Sequence, residues 1–406
     1  MADNSDSNWE EKELGSMLKI KHGYAFKGEF FSDDGEFIVL TPGNFFDEGG
    51  FRHKENKEKY YLGPIPPEFV LKKGDLLIVM TEQAEGLLGS AAFIPKNNRY
   101  LHNQRLGLIT QCNPNHSDRR FLYYLFNSKV VRQKIRASAS GTKVRHTSPS
   151  RIYEIKQKIP SIISQHKIAA ILSTYDDLIE KNTRRIKILE EMAQAIYREW
   201  FVHFRFPGHE SVRMVESELG LIPEGWEVKN LFEIAEVTYG FPFKSNLFTS
   251  NPTNKPVIRI RNIPNDYTDN FTNETVSEKF QVKNGDLLIG MDGDFHMGKW
   301  AGGIAYLNQR IVRLRPKIEI SPYYLFLALQ KPIHFFGSTI TGTTVAHLSD
   351  KDLKSINLMI PGKIFIKKIN ENLDFLFKFE ILLKIKNANL RRTRDLLLPK
   401  LISGEL

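Results

Sequence analysis

Short runs of apolar residues recur in each half of the 406-residue chain, and turn-forming residues separate them. Gly, Pro and Asn flank these runs, which is the pattern of short β-strands. The predicted strands cover residues 37–40, 75–80 and 106–110 in the first half, and 257–260, 286–289 and 310–314 in the second. An amphipathic helix follows in each half, at residues 120–135 and 323–330. Both halves are therefore predicted to contain an α/β domain.

Beyond each domain the apolar positions recur every three or four residues, which predicts a long helix with a coiled-coil seam. The first seam contains Ile168, Leu172, Tyr175, Ile179, Asn182, Ile186, Leu189, Ala193, Ile196 and Trp200, and the second contains Ile369, Leu373, Leu376, Leu383, Leu390, Leu397 and Leu401. A polar seam residue such as Asn182 fixes the register of paired helices. The second seam is less regular, because Glu380 and Arg394 occupy apolar positions. Pro399 predicts an early end of the second helix.

The order domain, helix, domain, helix allows the two long helices to pair antiparallel. Each helix would span roughly 50 Å. The predicted fold is an α/β (α+β) tandem repeat with pseudo-two-fold symmetry, in which two long antiparallel coiled-coil helices separate two globular domains. The alternative, in which each helix packs only on its own domain, would leave a long apolar stripe exposed.

The chain repeats its own motifs in the same order. Trp9-Glu10 returns as Trp226-Glu227, Gly23 with Phe26-Lys27 as Gly240 with Phe243-Lys244, Asn103-Gln104-Arg105 as Asn308-Gln309-Arg310, and Gly141-Thr-x-Val-x-His-x-Ser148 as Gly342-Thr-x-Val-x-His-x-Ser349. The segments between these motifs differ in length, which loops tolerate and cores do not. Two copies of one unit predict a target that has two parts.

Composition and charge limit the possible functions. The single cysteine, Cys112, excludes a disulfide framework and a thiolate metal cluster, and indicates a reducing, cytoplasmic compartment. No apolar run approaches the ~20 residues of a membrane-spanning helix, and the polar start of the chain is unlike a signal peptide. The net charge is +10, and residues 119–158 contain many Lys and Arg against Glu154 alone. This stretch predicts attraction to a polyanion, with a solvated basic face as the alternative.

The repeated motifs supply the candidate contacts to DNA. Lys27 and Lys244 follow a glycine turn and could bind a phosphate, Arg105 and Arg310 could grip guanine or a phosphate, and Gln104 and Gln309 could read adenine. The last loop offers Thr142, Lys143, Arg145 and His146 in the first copy, and Thr343, Thr344 and His347 in the second. Structural roles for the same residues stay open. The sequence suggests no metal site and no catalytic Ser/His/Asp or Cys/His set.

With its two Trp-Glu starts, its two long helices and the ending Leu396-Leu-Leu-Pro-Lys-Leu-Ile-Ser-Gly-Glu-Leu406, the chain resembles the specificity subunit of type I restriction-modification systems. Pro223-Glu-Gly-Trp226 and Tyr197-x-x-Trp200-Phe-Val-x-Phe204 are similar to that family too. The resemblance covers nearly the whole chain. It implies two target-recognition domains, each similar to that of adenine DNA methyltransferases and each reading half of a split DNA sequence. It also implies spacer helices that dock two modification subunits, and no catalytic centre.

The prediction is a non-catalytic DNA-recognition subunit of a bacterial or archaeal type I complex. Target-recognition domains are expected at residues 1–160 and 207–361, and spacer helices at 161–206 and 362–406. The subunit would bind an asymmetric bipartite site in double-stranded DNA and dock methyltransferase and restriction subunits. Apolar residues at the helix ends are the candidate docking surface: Tyr197, Trp200, Phe201, Phe204, Leu398 and Ile402.

No cofactor is expected in this chain, because it has no Gly-rich nucleotide-binding turn after a strand and no Asp/Asn-Pro-Pro-aromatic run. The resemblance implies that S-adenosylmethionine, ATP and Mg act in the partner subunits. One alternative is a self-contained restriction or modification enzyme, which would itself bind S-adenosylmethionine. The other is a non-catalytic assembly adaptor, which would not bind DNA.

Overall fold

The computed structural model describes residues 9–54, 57–83, 86–112, 115–339 and 346–406. The chain divides into two compact units: unit 1 comprises Met1–Asp177 and Arg391–Leu406, and unit 2 comprises Leu178–Leu390. Each unit contains one globular domain and a segment of each long helix. The domain boundaries given above stay predictions, because these units divide the helices between them. Among the described residues, every helix is too short or too polar to cross a lipid bilayer.

Unit 1 begins with strands and ends with helices. Its strands are β1 Glu10–Glu13, β2 Leu18–His22, β3 Phe31–Ser32, β4 Phe37–Val39, β5 Tyr60–Tyr61, β6 Leu76–Val79, β7 Thr81–Glu82, β8 Ala91–Phe93, β9 Tyr100–Leu101, β10 Leu106–Cys112, β11 Arg145–His146 and β12 Lys156–Ile159. Its helices are α1 Arg119–Asn127, α2 Lys129–Ser138, α3 Pro149–Tyr153, the first part of α4 Ile162–Tyr197 and the last part of α8 Lys363–Ser403.

Two sheets form the domain of unit 1. One has the strand order β2-β10-β6-β8 and is antiparallel throughout, and the other has the order β3-β5-β4-β9. The helices α1, α2 and α3 pack on the first sheet through a core that contains Leu76, Phe121 and Ile135. The short pairs β1-β12 and β7-β11 lie outside these sheets. Strand β11 belongs to the histidine loop, defined as the repeated Gly-Thr-x-Val-x-His-x-Ser segment at residues 141–148 and 342–349.

Unit 2 repeats this order of elements. Its strands are β13 Met214–Ser217, β14 Gly220–Pro223, β15 Glu227–Asn230, β16 Ala235–Tyr239, β17 Phe248–Thr249, β18 Lys255–Ile258, β19 Phe271–Thr272, β20 Gln281–Val282, β21 Leu287–Gly290, β22 Met297–Lys299, β23 Ala305–Leu307, β24 Ile311–Pro316 and β25 Asn357–Ile360. Its helices are the second part of α4, α5 Leu231–Ile234, α6 Pro322–Thr339, α7 Asp350–Lys354 and most of α8 Lys363–Ser403.

The first sheet of unit 2 matches that of unit 1 strand by strand, because the order β16-β24-β21-β22 corresponds to β2-β10-β6-β8. The second sheet has the order β17-β19-β18-β23-β20 and contains one strand more than the sheet β3-β5-β4-β9 of unit 1. A short helix follows the histidine loop in each unit, α3 in unit 1 and α7 in unit 2. The Ser148 hydroxyl accepts the N–H of Arg151 at the start of α3, and Ser349 forms a capping box with Asp352 at the start of α7.

The prediction of one helix at residues 120–135 was wrong, because the helix is interrupted at Ser128. The backbone of Ser128 is extended, with φ −72° and ψ 141°, and its hydroxyl accepts the N–H of Val131. Ser128 therefore ends α1 and caps α2. In unit 2 the corresponding helix α6 continues to Thr339 and contains Pro332.

In unit 2 the segments of α4 and α8 pair antiparallel through a seam with two polar positions. The side-chain amide of Asn182 donates to Asn387 Oδ1 at 3.0 Å, and both residues are buried. Further along α4, Glu190 lies 3.3 Å from Lys299 Nζ, which also lies 2.9 Å from the Glu380 carboxylate on α8. Residue numbers thus rise along α4 while they fall along α8. Asn182 is predicted to fix the register of the paired helices, and the structure gives it a buried amide partner, Asn387.

In unit 1 the segments of the same two helices also pack on each other. Arg394 of α8 forms an ion pair with Asp176 of α4 at 2.5 Å, and the Tyr124 hydroxyl donates to the same carboxylate. The polar seam residue Arg394 is therefore satisfied. Pro399 does not end α8, which continues to Ser403. Packing of Leu401 and Ile402 in the core of unit 1 holds the last turn although Pro399 lacks an N–H.

Candidate nucleic-acid interface

Two of the repeated motifs meet at the end of the central strand β6 in unit 1. The N–H of Met80, which directly follows β6, donates to the Arg105 carbonyl at 2.9 Å. The carbonyl of Met80 accepts the N–H of Thr147 at 3.0 Å. The Asn-Gln-Arg turn and the histidine loop therefore lie on the two sides of one residue.

The glycine motif contacts the same turn. A Cβ at Gly23 would lie 2.1 Å from the Asn103 carbonyl oxygen, so only glycine allows this approach. The N–H of Gln104 donates to the Tyr24 carbonyl at 3.0 Å. The ring of Phe26 then packs in an aromatic cluster beside Tyr24, and the next side chain, Lys27, is exposed to solvent.

Unit 2 reproduces these contacts. The N–H of Met291, after β21, donates to the Arg310 carbonyl at 2.9 Å, and the Met291 carbonyl accepts the N–H of Leu348 at 2.8 Å. A Cβ at Gly240 would lie 1.9 Å from the Asn308 carbonyl oxygen. The spatial grouping of the three motifs is thus a property of the repeated unit.

The two loop histidines have different partners. In unit 1, His146 Nδ1 lies 3.1 Å from the Thr81 hydroxyl. In unit 2, His347 Nδ1 lies 2.7 Å from Asp292 Oδ1, and Arg310 Nε lies 3.5 Å from the other oxygen of Asp292. A neutral hydroxyl in one unit therefore stands where the other unit has a carboxylate.

The candidate DNA-contacting side chains that the structure describes are all exposed. They are Lys27, Gln104, Arg105, Thr142, Lys143, Arg145 and His146 in unit 1, and Lys244, Gln309, Arg310 and His347 in unit 2. Thr343 and Thr344 lie outside the described residues. Exposed cations and amides on loops, carried by a buried sheet, are typical of a surface that contacts nucleic acid.

Two residues of the basic stretch at 119–158 have structural roles. Arg132 is buried and donates to Asp47, with an Nη2 to Oδ1 distance of 2.9 Å. Arg136 forms an ion pair with the buried carboxylate of Glu82 at 3.4 Å. These arginines stabilise the domain, so the stretch is less available to a polyanion than its composition indicates.

Sequence reasoning missed one loop that lies beside the Asn-Gln-Arg turn. In unit 2, Asn262 Oδ1 accepts the Arg259 N–H at 2.8 Å, and in unit 1, Asn44 Oδ1 accepts the Thr41 N–H at 2.9 Å. A surface pocket of unit 2 is lined by Arg259, Ile260, Arg261, Asn308, Arg310 and Ile311. The repeated asparagine, shared by Thr41-Pro-Gly-Asn44 and Arg259-Ile-Arg-Asn262, was the signal that could have revealed this loop.

The unit 1 counterpart of this loop also carries a cation. Lys54 Nζ donates to the Thr41 hydroxyl at 2.9 Å. Burial lowers the pKa of the Lys54 ammonium, and the nearby charges of Lys59 and Arg52 lower it further. This crowding of positive charge favours a site for an anionic group.

The candidate docking residues at the helix ends are partly occupied within their own units. Phe201 is buried and its ring centroid lies 5.3 Å from that of Trp226, while Ile402 is buried in the core of unit 1. Neither offers area to a partner, which corrects the prediction for these two. The other four candidates, Tyr197, Trp200, Phe204 and Leu398, are half-buried. Burial raises the pKa of the Tyr197 hydroxyl to about 12.

The duplicated α/β domain, with exposed cationic loops in each copy, and the two long helices define a tandem-repeat protein. A family model described as "Type I restriction modification DNA specificity domain" matches residues 6–191 and again residues 223–392. The chain belongs to this family. The predicted resemblance, the tandem fold and the non-catalytic specificity role are thereby confirmed.

Individual relatives agree with this assignment. The type I restriction enzyme MjaIX specificity subunit of Methanocaldococcus jannaschii is 26% identical over 297 residues, which cover 70% of this chain and 68% of that protein. The type I restriction enzyme HindI specificity subunit of Haemophilus influenzae is 24% identical and covers 98% of this chain and 100% of that protein. A crystal structure of a type I restriction-modification S subunit from M. genitalium has the same fold, with a TM-score of 0.61, 19% identity and coverage of 99% and 97%.

Proposed function

We propose that this chain is the DNA-recognition subunit of a type I restriction-modification complex and binds an asymmetric, bipartite site in double-stranded DNA. Each unit reads one half-site. The observation that carries the proposal is the repeated meeting of the Asn-Gln-Arg turn and the histidine loop at one strand end, after Met80 and after Met291, with their side chains exposed. One copy of this arrangement serves one half of the target.

The two half-sites are expected to differ in sequence. The histidine loops contact a hydroxyl in unit 1 and a carboxylate in unit 2. The neighbouring loop begins with Thr41 in unit 1 and with Arg259 in unit 2. Because base edges are distinguished by the donors and acceptors that meet them, unlike side chains on equivalent loops favour unlike base sequences.

Antiparallel pairing of α4 and α8 is proposed to set the gap between the half-sites. The polar contacts within the seam, Asn182 with Asn387 and Asp176 with Arg394, each allow one register. The gap in the DNA target is expected to place the half-sites about one to two turns of duplex apart, where one turn is about 34 Å. The recognised sequence is therefore half, gap, half.

The chemistry is proposed to belong to partner subunits that dock on the chain. Two modification subunits would flip and methylate an adenine, and restriction subunits would join them. Val202, which is 57% exposed in the turn after α4, and Leu396, which is 62% exposed on α8, present apolar surface, and each is followed or preceded closely in the chain by a half-buried residue, Trp200 or Leu398. Apolar surface of this kind marks a docking site.

Changing both Lys143 and Arg145 to Ala is expected to weaken DNA binding and to flatten its salt dependence. Both side chains are exposed in the histidine loop of unit 1. Each lost phosphate contact reduces the slope of log affinity against log salt by about 0.9. The measurement is a titration of duplex DNA at several salt concentrations with the chain assembled with its partner subunits.

A double change of Arg184 and Lys187 to Ala is the matched control. It removes the same charge from exposed positions of α4 that already pair with Glu180 and Glu191. The control is expected to keep the original slope. An unaltered slope for the loop variant would remove Lys143 and Arg145 from the DNA contacts, and a complex that binds no DNA at low salt would favour the adaptor alternative.

A further inference from the structure

The arginine of the Asn-Gln-Arg turn is held by a carboxylate in unit 2. Arg310 Nε lies 3.5 Å from one oxygen of Asp292, and His347 Nδ1 lies 2.7 Å from the other. The Arg310 carbonyl is also fixed, because it accepts the N–H of Met291. Both the backbone and the Nε edge of Arg310 are therefore restrained, while the side chain stays 55% exposed.

The carboxylate of Asp292 disfavours a contact between Arg310 and a DNA phosphate, and it favours a contact between Arg310 and a base. Asp292 offsets the positive charge of Arg310, which weakens its attraction for a phosphate. The plane of the guanidinium group is also restrained, because Nε lies against Asp292 and Nη1 lies 3.5 Å from His347 Nδ1. The outward N–H groups of the two terminal nitrogens stay available to a base. A fork of donors with fixed orientation is suited to the O6 and N7 acceptors of guanine, which require two hydrogen bonds in one plane.

The surroundings of Arg310 supply the phosphate contact separately. Arg310 shares its pocket with Arg259 and Asn308. The guanidinium of Arg259 lies 4.5 Å from the centroid of the Phe248 ring, and it has no ion pair with an acid in the part of the chain that the structure describes. Arg259 thus keeps its full charge for a phosphate, beside an arginine whose charge is offset.

Unit 1 lacks the restraining carboxylate. Thr81 follows Met80 just as Asp292 follows Met291, and both residues contact the loop histidine. The neighbouring Glu82 is buried and pairs with Arg136. Within the described residues no carboxylate forms an ion pair with Arg105, so its guanidinium has no fixed plane. Arg105 and Arg310 occupy equivalent positions in the repeat, but only the guanidinium group of Arg310 is restrained by a carboxylate.

We infer that Arg310 reads a guanine in the half-site of unit 2, with Asp292 as its positioning residue, whereas Arg105 contributes charge without reading a base. The inference rests on the proposed function and adds a residue-level basis for the difference between the half-sites. Replacing Asp292 with Thr, the residue at this position in unit 1, is expected to remove the discrimination between guanine and other bases in the half-site of unit 2. The protein is expected to stay bound to DNA.

The test is a map of methylated adenines in the host genome by single-molecule sequencing, for the wild type and for Asp292→Thr, Arg310→Ala and Asp292→Glu. The first two variants are expected to methylate a motif in which one guanine becomes degenerate, with the gap and the other half-site unchanged. Loss of one bidentate contact lowers discrimination roughly 5- to 150-fold. Asp292→Glu keeps the carboxylate and is expected to retain the guanine.

Arg105→Ala is the matched control in unit 1. It is expected to lower the methylated fraction at all sites while the motif stays the same. An unchanged motif in both Asp292→Thr and Arg310→Ala would overturn the inference. If both abolish methylation, Arg310→Lys decides, because lysine keeps the charge without the planar fork. A relaxed guanine then supports the inference, and an unchanged motif contradicts it. A wild-type strain with no gapped motif that depends on this gene would instead contradict the proposed function.

Discussion

Replacing Lys299 with Met is expected to lower the free energy of unfolding of unit 2 by about 3 kcal/mol, because it removes the nearest cation from the buried carboxylate of Glu380. The Lys299 side chain is 4% exposed and Glu380 is fully buried, with 2.9 Å between Nζ and the carboxylate. Burial raises the pKa of Glu380, and the charges of Lys299 and Lys384 act against that rise. The measurement is urea unfolding followed by tryptophan fluorescence, since Trp226 and Trp300 belong to unit 2.

A second variant separates the loss of charge from the loss of packing. Replacing Lys299 with Met and Glu380 with Leu together removes both charges, and is expected to recover most of the lost stability. Lys187→Met is the matched control, because Lys187 is 77% exposed and its pair with Glu191 is worth little. Equal losses for Lys299→Met and Lys187→Met would show that the buried pair does not stabilise unit 2.

Acidification from pH 7.5 to pH 5 is expected to lower the stability of unit 1 by about 2 kcal/mol through His102. Burial lowers the pKa of His102 to about 4, although its hydrogen bond to the Leu106 carbonyl opposes that shift. The unfolded chain, with a histidine pKa of about 6.5, binds the proton more readily throughout this window. Stability is therefore fully present above pH 6.5 and is lost as the pH falls toward 4.

The loss of stability on protonation of His102 is expected to affect the candidate interface, because Asn103-Gln104-Arg105 directly follows His102 in the chain. Pulse hydrogen–deuterium exchange at a fixed pulse pH, after equilibration in urea at each pH, measures unfolding of the peptide at residues 101–112. His102→Leu introduces the residue that unit 2 carries at this position, Leu307, and is expected to reduce the pH-dependent loss by about 2 kcal/mol. Equal losses of stability on acidification in the wild type and in His102→Leu would exclude His102 as the cause of the pH dependence.

Much of the fold could be predicted because repeated patterns restrict local structure. The strand runs, the serine caps of α3 and α7 and the seam on α4 depend on residues close in sequence. The buried pair of Asn182 and Asn387 shows that a polar residue in an apolar seam indicates a specific partner. Repetition added evidence, since each motif occurred twice.

The features that the sequence did not predict depend on distant residues. Pro399 stays within α8 because Leu401 and Ile402 are anchored in the core of unit 1. Arg132 is buried because Asp47, far away in sequence, approaches it. The irregular seam residue Glu380 is explained by Lys299, which lies on a strand of the domain. Local patterns carry no information about such partners.

The candidate site shows the same division. The motifs that form the interface were identified by repetition, but their grouping around Met80 and Met291 required the sheet. The loop that begins at Thr41 or Arg259 was missed, because its two copies share only the capping asparagine. The difference between Thr81 and Asp292 gained meaning only when each was found beside a loop histidine.

Single-molecule sequencing of methylated adenines, in the host with and without this gene, tests whether two unlike units each read one half-site. Deletion is expected to remove methylation from one gapped motif whose two halves differ in sequence, and restoring the gene is expected to restore this motif. No change in the methylated motifs on deletion, or loss of a motif that is continuous or has identical halves, would contradict a subunit in which two unlike units each read one half-site.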